Sequence, residues 1–123
     1  MNLVDSSGWL EYFVDGKNAK VFAPIIEHTE DLIVSPINIF EIFKKIMAEK
    51  NEHTAVAMVA FMQQAKTIEV SSMIAVQAAK LSNEHKLPMA DSLIYATART
   101  QDAIVWTQDS HFMNLYGVKY FPK

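Results

Sequence analysis

The chain has no cysteine, so neither a disulfide framework nor a thiolate metal site is open to it. Glycine and proline are scarce, three and four residues in 123, which predicts short connections and no flexible linker. No apolar run approaches the ~20 residues that a membrane helix requires, and the first residues lack the basic-then-apolar pattern of a signal peptide. Basic charge is also short. Ten lysines and a single arginine, Arg99, against fourteen acids leave a net charge of −3. Such a chain has no broad electrostatic grip on nucleic acid, so any action there must use a restricted site with a few lysines on phosphate. What is present is an ordinary globular mixture, half apolar and one-fifth charged, of a length suited to one domain over 1–123. The expectation is a soluble, cytoplasmic protein that does not enter a membrane.

Five short apolar stretches read as strands: Leu3-Val4, Leu32-Ile33-Val34, Ile68-Glu69-Val70, Ala103-Ile104-Val105-Trp106 and Val118-Lys119-Tyr120. Several are continuously apolar, the pattern of strands buried on both faces. Helical spacing lies between them. It links Trp9, Tyr12 and Phe13, then Val21, Ile25 and Ile26, then Ile39, Ile42, Phe43, Ile46 and Met47. Ala55, Val59 and Met62 predict a fourth helix, and Ile74, Ala78 and Leu81 a fifth, opened by the serines at 71 and 72. Ala90 to Thr100 is apolar on most sides and predicts a buried helix, with Pro88 suited to its first turn. A short helix is expected near Asp109. Strands alternating with helices of this length predict an α/β fold around a parallel sheet, whose ligands bind beyond the carboxyl ends of the strands.

Two aspartates fall at that edge. Asp5 follows the first strand, and Asp109 follows Ala103–Trp106. Each also has a plainer reading as the N-cap of the helix or turn behind it. Asp91 sits in the first turn of its helix, where negative charge is favoured. Ile94, Tyr95 and Ala98 lie three, four and seven residues on, so it heads an apolar face, and a carboxylate there needs a partner or a cation. Glu41 lies opposite the Ile39/Ile42/Phe43/Ile46 face, beside Asn38 and Lys45. Helical phase leaves open whether that polar side meets bulk water or a cleft. Ser6 is expected to donate the hydrogen bond that holds Asp5, with an unpartnered loop serine as the alternative.

Competing sites are absent. His28, His53, His85 and His111 lack the spacing by which one helix face holds zinc, although His111 is near enough to Asp109 to approach a cleft. There is no glycine-rich phosphate loop and no nucleophile elbow. A phospho-receiver domain would need an aspartate after the third strand, where this chain runs TIEVSS.

Four stretches recur together in one order: V-D-S-S after the first strand, N-x-x-E after S-P, A-D-S-L-I-Y-A-T-A in the buried helix, and T-x-D-x-x-F after the fourth strand. In them the whole chain resembles the PIN-domain nucleases, most closely the single-domain toxins of VapBC-type toxin–antitoxin systems. The resemblance implies a PIN-like three-layer α/β/α sandwich around a mostly parallel five-stranded sheet. It implies a catalytic set of Asp5, Glu41, Asp91 and Asp109, with Asp5, Asp91 and Asp109 on the metal and Ser6, Asn38 and Thr107 in support. Ser7 departs from the asparagine often found there, which affects only a supporting hydrogen bond. The expected cofactor is Mg²⁺, with Mn²⁺ also suited, since hard oxygen donors without cysteine or clustered histidine favour these ions. The expected activity is endonucleolytic cleavage of RNA by the toxin of a type II system. A cognate VapB-type antitoxin and a homodimer are the partners it implies, and Trp9, Tyr12, Phe13, Met58 and Met62 are candidates for either contact or for the core. The alternative is a catalytically silent protein-binding module on the same fold.

Overall fold

The computed structural model describes all of residues 1–123. Five strands, β1 (Asn2–Val4), β2 (Leu32–Val34), β3 (Lys66–Thr67), β4 (Ile104–Thr107) and β5 (Val118–Tyr120), form one sheet in the order β3-β2-β1-β4-β5. Every pairing is parallel, with Leu3 opposite both Ile33 and Val105. The helices are α1 (Ser6–Phe13), α2 (Ala19–Glu27), α3 (Pro36–Glu49), α4 (Glu52–Met62), α5 (Ser72–His85) and α6 (Met89–Thr100). Two 3-10 turns, Thr29–Asp31 and Ser110–Phe112, complete the chain.

Strand side chains alternate between faces, and here both faces are covered. Val4, Leu32 and Val34 pack under α1 to α4 with Trp9, Phe22, Ile42 and Met62. Leu3, Ile33 and Val105 pack on the opposite face with Ile94 and Tyr95 of α6 and with Phe112. The result is the three-layer sandwich. The core settles two of the candidate contact residues, since Trp9 and Met62 are fully buried.

One strand lies elsewhere than its sequence suggests. Ile68-Glu69-Val70 is not β3; the pairing residues are Lys66 and Thr67, opposite Ile33 and Val34, and the ladder ends where Ile68 N donates to Val34 O. Ile68 and Val70 are apolar because they pack against α5 and α6, not because they pair. Pro88 is the N-cap of α6 and lies just outside its first turn.

The strand order reverses between β1 and β4, and in open parallel sheets ligands bind beyond the carboxyl ends of the strands at such a switch point. Close approach at this point depends on Gly8 of α1. A Cβ built there meets Val4 Cγ1 at 2.6 Å and Phe22 at 2.9 Å. Gly8→Ala should therefore lift α1 off β1 and cost about 1–3 kcal/mol, read as a lower midpoint in urea.

Candidate active site

Asp5 leaves the sheet at the end of β1 and is almost fully buried. It does what a capping residue does: its Oδ2 accepts from Ser7 N at 3.3 Å. The same oxygen also accepts from the hydroxyls of Ser7, at 2.8 Å, and Thr107, at 3.0 Å. Three donors converge on Oδ2, so Oδ1 stays free for another partner. Ser7 Oγ in turn accepts from Gln108 N, and Thr107 Oγ1 from Asp109 N, which ties the ends of β1 and β4 together. Ser7 thus supplies a hydroxyl hydrogen bond at the position where the family resemblance expects asparagine.

Ser6 does not hold Asp5, contrary to expectation. It is the first residue of α1, and its side chain turns toward α3, where Ser6 Oγ donates to Glu41 Oε1 at 2.7 Å and accepts from Asn38 Nδ2 at 3.0 Å. Asn38 is completely buried, and its Oδ1 closes a capping box with Ser35 N at the start of α3. The polar side of α3 therefore faces a cleft at its N-terminal end, and Glu41 is half-buried there. Ser6→Ala would leave the buried Asn38 amide without its acceptor and free the Glu41 carboxylate. A stability loss of about 1–3 kcal/mol in chemical denaturation is expected.

Asp91, in the first turn of α6, is 9 % exposed. Asp109 caps the 3-10 turn through His111 N at 2.9 Å. His111 Nδ1 lies 2.8 Å from Asp91 Oδ2 and 3.3 Å from Asp109 Oδ1. Donor atoms of these three residues all fall within 4.8 Å of one another, the spacing of ligands around one ion. Asp5 is outside this tightest group but close enough to act on it. Burial first, then the charges of Asp5 and Asp109, push the Asp91 carboxyl up to about 6, partly offset by His111. Burial also raises Asp5, against the pull of its hydroxyl donors and with a smaller push from Asp109.

Asp5 and Asp91 hold their protons above the ordinary carboxylate range, a cost that a bound cation would relieve. Three carboxylates and one imidazole, with no sulfur, suit a hard or borderline divalent ion. The sequence undervalued His111. Its signal was present, because a capping carboxylate receives the N–H of the second residue behind it and so brings that side chain alongside.

The two capping aspartates and the α6 acid thus meet beside the switch point of the sheet. The PIN domain family model matches residues 3–118. The chain belongs to the PIN domain family. No curated protein matches this PIN domain by sequence. Among solved structures it is similar to a toxin–antitoxin complex from Klebsiella pneumoniae, with a TM-score of 0.80, 21% identity and full coverage of both chains. It is similar to the DNA-bound VapBC of Salmonella typhimurium, with a TM-score of 0.75 and 14% identity over 99% of this chain and 98% of that one. It is also similar to Mycobacterium tuberculosis VapC20, described as a sarcin-ricin loop cleaving toxin, at a TM-score of 0.75 and 15% identity over 91% and 92%. At such identities the likeness is one of fold. No helix of this PIN domain is long and apolar enough to cross a membrane.

Proposed function

We propose that this PIN domain is a metal-dependent endoribonuclease, the toxin of a VapBC-type toxin–antitoxin pair. The observation that carries the reading is the meeting of Asp91, Asp109 and His111 donor atoms within 4.8 Å, beside the buried Asp5. A protein-binding module that had lost catalysis would have no use for so costly a group of like charges.

Asp5, Asp91 and Asp109 would hold the ion, with Mg²⁺ or Mn²⁺ suited to their oxygens. When bound, the ion supplies Lewis acidity toward a phosphodiester and lowers the pKa of a water. The free Oδ1 of Asp5 faces this duty because Ser7 and Thr107 occupy Oδ2. His111 orients Asp91 through the 2.8 Å contact to Oδ2. Glu41, its Oε1 fixed by Ser6, presents Oε2 to the attacking water and takes its proton as the water oxygen bonds to phosphorus. The bond from phosphorus to the ribose oxygen then breaks, that oxygen takes a proton from solvent water, and the proton on Glu41 returns to solvent.

The toxin–antitoxin complexes among the structural neighbours support an antitoxin as partner. Cleavage is tested directly. Short single-stranded RNA incubated with the protein should be cut with Mn²⁺ or Mg²⁺ present and left intact once a chelator is added. Cutting that persists in chelator would overturn the assignment, and so would intact RNA in the presence of either ion across transfer, ribosomal and messenger substrates.

A further inference from the structure

Phe40 has no packing role that explains it. On α3 it lies between the core-facing Ile39 and Ile42, yet it is 63 % exposed. Its ring stands in the wall of an open groove of about 460 Å³ formed by α1 and α3. That volume lies within the roughly 300–1,000 Å³ of small-ligand sites. Ser6 and Glu41 line the same groove, so it adjoins the acidic site: Ser6 follows Asp5 in the chain, and its hydroxyl holds Glu41.

Lys44 and Lys45 also line it, one helical turn of about 5.4 Å beyond Glu41. Lys45 is engaged by Glu49 at 2.9 Å. Lys44 has no carboxylate partner, and its ammonium lies 5.8 Å from the centroid of the Phe40 ring. In a chain of net charge −3, an unpaired cation and an exposed aromatic face stand four residues apart, on one side of a helix, next to the carboxylates. An aromatic platform beside a cation is how single-stranded nucleic acid is held, with the base on the ring and the phosphate on the charge.

We propose that this groove seats the nucleotide adjoining the scissile phosphate of a single-stranded RNA, its base stacked on Phe40 and its phosphate paired with Lys44. The inference rests on the nuclease reading above and gives that site a strand-positioning subsite. Stacking does not choose among bases, so the groove selects an unpaired nucleotide and not a sequence. It also explains how a chain with little basic charge holds RNA: one contact for the base and one for the phosphate replace a broad basic surface.

The test is fluorescence anisotropy with a labelled RNA of about eight nucleotides, within the span single-strand sites cover, with chelator present so that nothing is cut. Phe40→Ala is expected to weaken binding about tenfold, and Phe40→Trp to restore it. Lys44→Ala should reduce the slope of log affinity against log salt by about 0.7. Lys80→Ala, on the exposed side of α5, serves as the control and leaves both quantities unchanged. The same RNA annealed to its complement should show no dependence on Phe40. Wild-type affinity and salt slope in both Phe40→Ala and Lys44→Ala overturn the groove, while a nuclease that Asp91→Asn silences still stands. A wild-type protein that neither binds nor cuts RNA overturns both.

Discussion

Asp5→Asn is expected to slow RNA cleavage at least about a hundredfold, the scale seen when one preorganised electrostatic group is lost, while the fold persists. Asp5 is 2 % exposed and all three of its donors bind one oxygen. An asparagine keeps a carbonyl oxygen for Ser7 and Thr107, and it caps a helix as well as aspartate does. What changes is the other atom, from an anionic oxygen to an amide nitrogen that donates and cannot hold a cation. The buried charge is also gone. Because burial raises the Asp5 carboxyl, the metal-free variant should melt above wild type at neutral pH. Asp5→Ala would lack the cap as well and should lose about 1 kcal/mol at α1. Cleavage rates measured beside thermal melts by circular dichroism separate these effects. An Asp5→Asn protein that cuts at full rate would remove Asp5 from the catalytic set.

The sheet and helices were legible because their signals are local. The unbroken apolar runs of β2 and β4 and the 3.6-residue spacing of α1, α3 and α6 each needed only a few neighbouring residues. Ile68-Glu69-Val70 misled for the same reason. Its alternation is that of a strand, and only the distant helices α5 and α6 give its apolar residues another use. Glu41 was ambiguous because helical phase locates a side and not its environment. Contacts from Ser6, 35 residues away in sequence, turn that side into a cleft.

The exchange of roles between Ser6 and Ser7 was readable in principle. With Asp5 as the cap, Ser7 is the second helical residue, the one whose N–H the cap receives, and its hydroxyl follows. Asp109 and His111 stand in the same relation. The T-x-D-x-H spacing therefore announced His111 as a site neighbour. The contact of His111 with Asp91, twenty residues away, could come only from the fold.

The second large effect is on stability, through Asp91. An aspartate in the unfolded chain titrates near 3.8, whereas burial and the charges of Asp5 and Asp109 place the folded Asp91 at about 6. The folded state thus binds this proton more tightly. Well below pH 4 both states are protonated and Asp91 costs nothing; between about pH 4 and 6 the unfolded chain has released the proton that the folded state still holds, so stability falls, and the fall ends once the folded acid has ionised above about 6. Two pKa units correspond to nearly 3 kcal/mol. Residual solvent contact of the side chain, 12 % exposed, trims this to roughly 1–2 kcal/mol. Asp5 titrates in the same direction and adds to the fall.

Metal-free wild type should therefore lose stability between about pH 4 and pH 6, and Asp91→Asn should flatten that slope and be the more stable protein at pH 7.5. Mn²⁺ should reverse the ranking, since a ligand at a hundredfold its Kd adds about 2.7 kcal/mol to the state that binds it. Its effect should be larger at pH 7.5 than at pH 5, because the carboxylates must be deprotonated to bind. Urea midpoints across pH, with chelator and with Mn²⁺, give all of these quantities in one series. Stability that rises from pH 4 to 6 in chelator, or an Asp91→Asn protein that Mn²⁺ stabilises as fully as wild type, would mean that Asp91 neither bears this charge cost nor holds the ion.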